Sequence, residues 1–166
     1  MNDKPINDAF DSEDEIPKRD KVTSRRKTRE LALGAMYEIE AGKHDPEVVI
    51  ARTIESQGIS VAAAEFFSAS IRLAWEYREL SDRVISELSE GWKIDRIARI
   101  DLAILRLTIV ELLIGLEDPT PPDPVIINEA VVLAKKFSTA DSGKFINGIL
   151  ATIVKNKQKF QSMLKP

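Results

Sequence analysis

The chain has no cysteine and one histidine, His44, in 166 residues. Disulfides and thiolate metal sites are therefore excluded, a protein-only catalytic zinc site lacks ligands, and a serine or cysteine triad is disfavoured. No metal or other cofactor is expected. Aromatic residues are scarce at 6%, so aliphatic side chains must supply most of the core. Long uncharged apolar runs are also missing. The richest stretch, residues 100–116, is broken by Asp101, Arg106 and Glu111, each costly at the centre of a bilayer, so a buried helix is expected and no membrane span. The N-terminus is acidic and polar, unlike a secretory signal or an arginine-rich transit peptide, and the expected location is cytoplasmic.

What is present fits one helical domain preceded by a tail. A chain of this length buries about 70% of its unfolded surface in a single core. The net charge of −3 by itself argues against a polyanionic partner. Its distribution argues the other way. Residues 1–16 hold six acidic groups and one lysine, whereas residues 18–29 hold Lys18, Arg19, Lys21, Arg25, Arg26, Lys27 and Arg29 against Asp20 alone. Residues 1–21, with Pro5, Pro17 and few apolar side chains, read as a disordered tail. Residues 22–164 form the domain.

Periodicity predicts about seven helices and no strand. Thr23 or Ser24 caps a first helix to about residue 42, with Leu31, Ala35 and Ile39 on one face and Gly42 as its stop. The arginines in its first turns oppose the helix dipole, which favours a reason outside folding. Asp45-Pro46-Glu47 starts a second helix to about Gln57. Ser60 caps a third reaching roughly Arg78, and a fourth follows a junction near Leu80. A fifth, from Ile94 or Asp95 to about Leu116, is apolar on nearly every face, as befits a strut surrounded by other helices. Four prolines in residues 117–124 impose a loop, Asp123-Pro124 opens a sixth helix to about Phe137, and the last begins between Thr139 and Ser142.

The segment 126–150, IINEAVVLAKKFSTADSGKFINGIL, joins these last two helices through a polar corner. With SRRKTRELALGAMYEIE at 24–40 and IDRIARIDLAILRLTIVELL at 94–113, it resembles the NusB family of bacterial transcription antitermination factors. The three blocks stand in the family's order and cover about two-fifths of the chain. The resemblance implies an all-α fold of two small packed helical bundles and no enzymatic activity. It further implies binding to the box A element of ribosomal RNA transcripts, together with the small-subunit ribosomal protein that acts as Nus factor E, within the RNA polymerase antitermination complex.

Carried over residue by residue, the implied RNA-binding positions are Arg25, Arg26, Lys27, Arg29 and Tyr37, with Phe137, Asp141, Ser142, Lys144 and Phe145 at the corner. Arginine suits such a role because its planar fork pairs with phosphate and stacks on unpaired bases, and aromatic faces receive splayed bases. Spacing alone assigns Tyr37, Phe137 and Phe145 to the core, and capping explains Asp141. Two departures are Thr28, where the family usually has alanine, and Gly34, where glutamine is common. Glu87, Glu90 and Asp95 form an acidic face suited to a basic ribosomal protein. Trp75 and Trp92 read as packing residues, and Asn128 and Glu129 as hydrogen-bonding groups between helices. The module also resembles the N-terminal part of ribosomal RNA cytosine methyltransferases, which require a following α/β domain with a glycine-rich loop and a catalytic cysteine. A helical scaffold binding only protein is the other competing expectation.

Overall fold

The structure is a computed structural model and describes residues 22–164; the expected tail at 1–21 lies outside the described residues. Eight α-helices occur among them, one more than the periodicity suggests. The first, α1 (Arg25–Gly42), is capped by Ser24, whose Oγ accepts from the Lys27 amide, and is ended by Lys43 in the left-handed conformation at φ 52° rather than by Gly42. Asp45 caps α2 (Pro46–Gln57) through the Glu47 and Val48 amides, with Pro46 in the first turn as expected. Gly58 closes it at φ +62°, a conformation that favours glycine.

Ser60 caps α3 (Val61–Glu76), and α4 (Arg78–Leu88) follows directly. The break falls at Tyr77, earlier than Leu80, where Arg78 Nη1 donates to the Trp75 carbonyl at 2.6 Å and its guanidinium lies over the Trp75 ring. The expected fifth helix divides into a 3-10 turn (Ile94–Arg96) and α5 (Arg99–Leu113). After the proline loop come α6 (Asp123–Phe137), α7 (Ala140–Lys155) and α8 (Lys157–Leu164). Asp123 lies inside α6 rather than at its cap and pairs with Lys157 at 2.9 Å. The helix that periodicity leaves continuous is cut at Asn156, whose side-chain amide donates to the Thr152 carbonyl at 3.0 Å and competes with the backbone ladder.

Helices α1, α2 and α3 pack on one another, and α4, α6, α7 and α8 gather around α5, which also packs against α1 and α3. Every residue of α5 from Asp101 to Leu113 is buried, so it is the strut shared by both bundles. Its polar groups are compensated from outside. Arg106 donates to both oxygens of Asp82 on α4 and to Glu40 on α1 at 2.7–2.8 Å. Burial opposes its charge, yet the bonds to Asp82 and Glu40 outweigh burial and raise its pKa. Among the described residues no helix is long and apolar enough to cross a membrane.

Candidate nucleic-acid interface

The basic residues that open α1 are not a row of free cations. Arg25 pairs with Glu117 of the proline loop at 2.5 Å, and its guanidinium lies 4.2 Å from the centre of the Phe66 ring. Arg26 donates through Nε and Nη2 to both oxygens of Glu129 on α6, at 3.1 and 2.9 Å. This hydrogen bond lowers the Glu129 pKa and raises that of Arg26. Arg29 makes a two-pronged pair with Glu111 on α5, and the two side chains are only 11% and 7% exposed. Arg29, which the resemblance implies as an RNA contact, is thus an internal group paired across to α5. Lys27 is exposed and lies 3.6 Å from Glu30.

Glu30 also accepts from Lys136 of α6 at 2.7 Å, a bond that lowers the Glu30 pKa. Two ionic links, Arg26–Glu129 and Glu30–Lys136, thus lash the start of α1 to α6, and the second sits beside the polar corner. Phe137, at 44% exposure, follows directly, with the Lys136 ammonium 5.4 Å from its ring centre. Spacing assigns Phe137 to the core; the structure places it outside. Tyr37 is likewise exposed, at 41%.

At the corner, Thr139 caps α7 by accepting from the Ser142 amide at 3.0 Å. Asp141 is therefore not the cap. It is exposed and its side chain makes no hydrogen bond or ion pair among the described residues, and the Lys144 side chain is equally uncommitted. Ser142 is half-buried and donates to Asp101 Oδ2 at 2.7 Å, joining the corner to the first turn of α5. Phe145 is half-buried against the core.

On the proposed protein face, Glu87 pairs with Lys159 of α8 at 2.8 Å, while Glu90 and Asp95 are exposed without ion pairs. Glu129 bridges helices as expected, whereas Asn128 is exposed and makes no side-chain hydrogen bond. Trp75 is half-buried, but Trp92 is 59% exposed, against its expected packing role. The ion-pair partners of Arg25, Arg26 and Arg29 escape sequence reasoning because they lie 82 or more residues away on other elements.

The fold of two bundles sharing a buried strut matches that of solved antitermination factors. NusB of T. maritima superposes with a TM-score of 0.73 at 33% identity, covering 84% of this chain and 98% of that one. A crystal structure of the antitermination factors NusB and NusE in complex with double-stranded RNA gives a TM-score of 0.69 at 25% identity, covering 80% and 96%. By sequence, the transcription antitermination protein NusB of Symbiobacterium thermophilum is 41% identical over 140 residues, 80% of this chain and 90% of the relative. The Acetivibrio thermocellus protein of the same name is 40% identical over 133 residues, covering 80% and 90%. The NusB family model matches residues 26–155. The chain belongs to the NusB family, whose members are non-enzymatic transcription antitermination proteins.

Proposed function

We propose that this chain binds single-stranded box A RNA of ribosomal transcripts together with the small-subunit ribosomal protein, Nus factor E, and so joins the RNA polymerase antitermination complex in the cytoplasm. The observation that carries the proposal is the pair of ionic links that set the basic opening of α1 alongside α6 and its exposed Phe137. A single strand following that edge meets Arg26 and Lys27 first, then Phe137, Asp141 and Lys144. Cations hold phosphate in register there, and the corner reads bases. Arg29 acts as a positioning residue, and Ser142 orients the corner through Asp101. Glu87, Glu90 and Asp95 are proposed to face the basic partner protein, and residues 1–21 to serve as a separate tail.

The relative crystallised with NusE and double-stranded RNA supports an RNA-binding reading over a protein-only scaffold. The test is a titration of box A RNA and a scrambled control, with and without the ribosomal protein, for the parent and a Lys27→Ala/Lys144→Ala variant. Each lost phosphate contact reduces the salt slope by about 0.7 on single-stranded RNA, so the double variant is expected to flatten it by roughly 1.4. An unchanged slope and affinity refute the assignment of these cations.

A further inference from the structure

We infer that the N-terminal residues 10–15, FDSEDE, lie over the basic edge of α1 and α6 and compete there with RNA, their carboxylates meeting the cations and the Phe10 ring meeting Phe137. The inference rests on the RNA-binding reading above and adds to it an occupant of the same edge that belongs to this chain. The segment precedes the residues shared with the family.

The point where the tail joins the fold is fixed. The Val22 amide donates to the Gly58 carbonyl and the Val22 carbonyl accepts from the Ser60 amide, both at 2.9 Å, and the side chain packs against the core. From that root to Glu30, two extended residues and six helical ones, is at most about 16 Å. Glu30 accepts from Lys136, so the corner begins one ion pair further on. Glu15 stands seven positions before Val22 and Phe10 twelve, extended reaches of about 24 and 41 Å. The reach suffices, and the order matches: the acids pass Lys27 and Lys136 before the ring arrives at Phe137.

Charge and chemistry are complementary. Lys27, Lys135 and Lys144 are exposed, and the last two form no ion pair among the described residues. Lys135 lays its stem against Gly143, where an added Cβ would meet its Cγ at 3.6 Å and its Cε at 3.8 Å, so its ammonium sits at the corner. Lys27 and Lys136 share the one carboxylate of Glu30, which leaves a net positive charge between them. Against these cations the segment offers Asp11, Glu13, Asp14 and Glu15. An aromatic ring followed by closely spaced anions presents the two chemistries of a single RNA strand, a base face and phosphates. The tether makes the encounter intramolecular, so exposed pairs that are individually weak suffice for occupancy.

The experiment compares the full chain with a full-length Asp11→Asn/Glu13→Gln/Asp14→Asn/Glu15→Gln variant, which keeps the length of the tail and removes four charges. Anisotropy of labelled box A RNA reports binding at about 20 mM and about 500 mM salt, where the screening length falls from about 20 Å to about 4 Å. The variant is expected to bind about five- to tenfold more tightly at low salt and within about twofold of the parent at high salt, and Phe10→Ala to bind about twofold more tightly. A second readout needs no RNA. The chain has no cysteine, so a nitroxide attached at Ser12→Cys is unique. It is expected to broaden the amide signals of Lys27, Phe137 and Lys144 in the free protein, and box A RNA should relieve the broadening. RNA affinity that the four substitutions leave unchanged or weaken at low salt overturns the inference and leaves the RNA-binding reading standing. Sharp signals along the edge also overturn it, since the acids then pair within the tail, with Lys18, Arg19 and Lys21. No binding of box A RNA by either protein overturns both readings. Loss of ribosomal-protein binding in the variant at unchanged RNA affinity assigns the acids to the basic partner and likewise overturns the inference.

Discussion

Replacing Arg29 with alanine separates two roles that the sequence cannot distinguish, phosphate contact and internal ion pair. The side chains of Arg29 and Glu111 are 11% and 7% exposed, and Arg29 donates to the carboxylate through both Nε and Nη2. Exposed ion pairs contribute about 0–1 kcal/mol, whereas removing one member of a buried pair costs about 3–5 kcal/mol because the other charge stays buried. The small residual exposure places Arg29→Ala at the lower edge of that range, about 3 kcal/mol. At about 2–4 °C per kcal/mol for a domain of this size, its melting temperature should fall by roughly 6–12 °C. Arg26→Ala, which breaks an exposed pair with Glu129, should move it by no more than about 4 °C. Joint replacement, Arg29→Met with Glu111→Leu, removes both charges and should recover most of the loss. Thermal unfolding followed by far-ultraviolet circular dichroism measures all three. An Arg29→Ala protein that melts with the parent while losing RNA affinity would show that the guanidinium acts outward and would refute the argument.

Two other outcomes follow from side chains already described. Glu30 and Glu129 have pKa values lowered by hydrogen bonds from Lys136 and Arg26 respectively, so the stability they contribute is fully present above the ordinary carboxylate value of 4.5 and is lost as pH falls through their lower folded values. Glu30→Gln/Glu129→Gln should flatten that part of the acid limb in pH-dependent melts; an unchanged limb contradicts the assignment. At Gly34 an added Cβ meets nothing within 4 Å in mid-helix, so Gly34→Ala should stabilise α1 by about 0.5–1 kcal/mol, visible as a melting temperature raised by roughly 1–4 °C, and a lowered one counts against the packing described.

The helices were legible where the signal is local. Asp45-Pro46, Ser60 and the four-proline loop mark boundaries through their own backbone chemistry, and α5 declares its burial by being apolar all round. Breaks that accompany side chains reaching back to a carbonyl, Arg78 to Trp75 and Asn156 to Thr152, leave no mark on periodicity. The same limit governs the interface. The basic cluster is visible in the sequence, but the acids that hold it come from α5, α6 and the intervening loop, so its division into committed and free cations exists only in three dimensions. Phe137 and Trp92 show the complementary error, since apolar type alone does not reveal which ring a turn leaves outside.

That division changes how affinity for a polyanion must arise. Lys27, Lys135 and Lys144 are exposed and can meet phosphate at little structural cost. Arg26 must exchange the Glu129 carboxylate for a phosphate, a replacement of one charge-assisted bidentate contact by another whose net gain is small. Arg25, stacked on Phe66 and paired with Glu117, has more to lose, and Arg29 does not exchange without exposing Glu111. The number of phosphates neutralised is therefore smaller than the number of basic residues in α1, and the salt dependence of binding should be correspondingly shallow. Under the proposed function, tightness beyond that electrostatic share has to come from the aromatic corner and from the proposed partner protein, which is why an exposed Phe137 matters more there than a fourth arginine would.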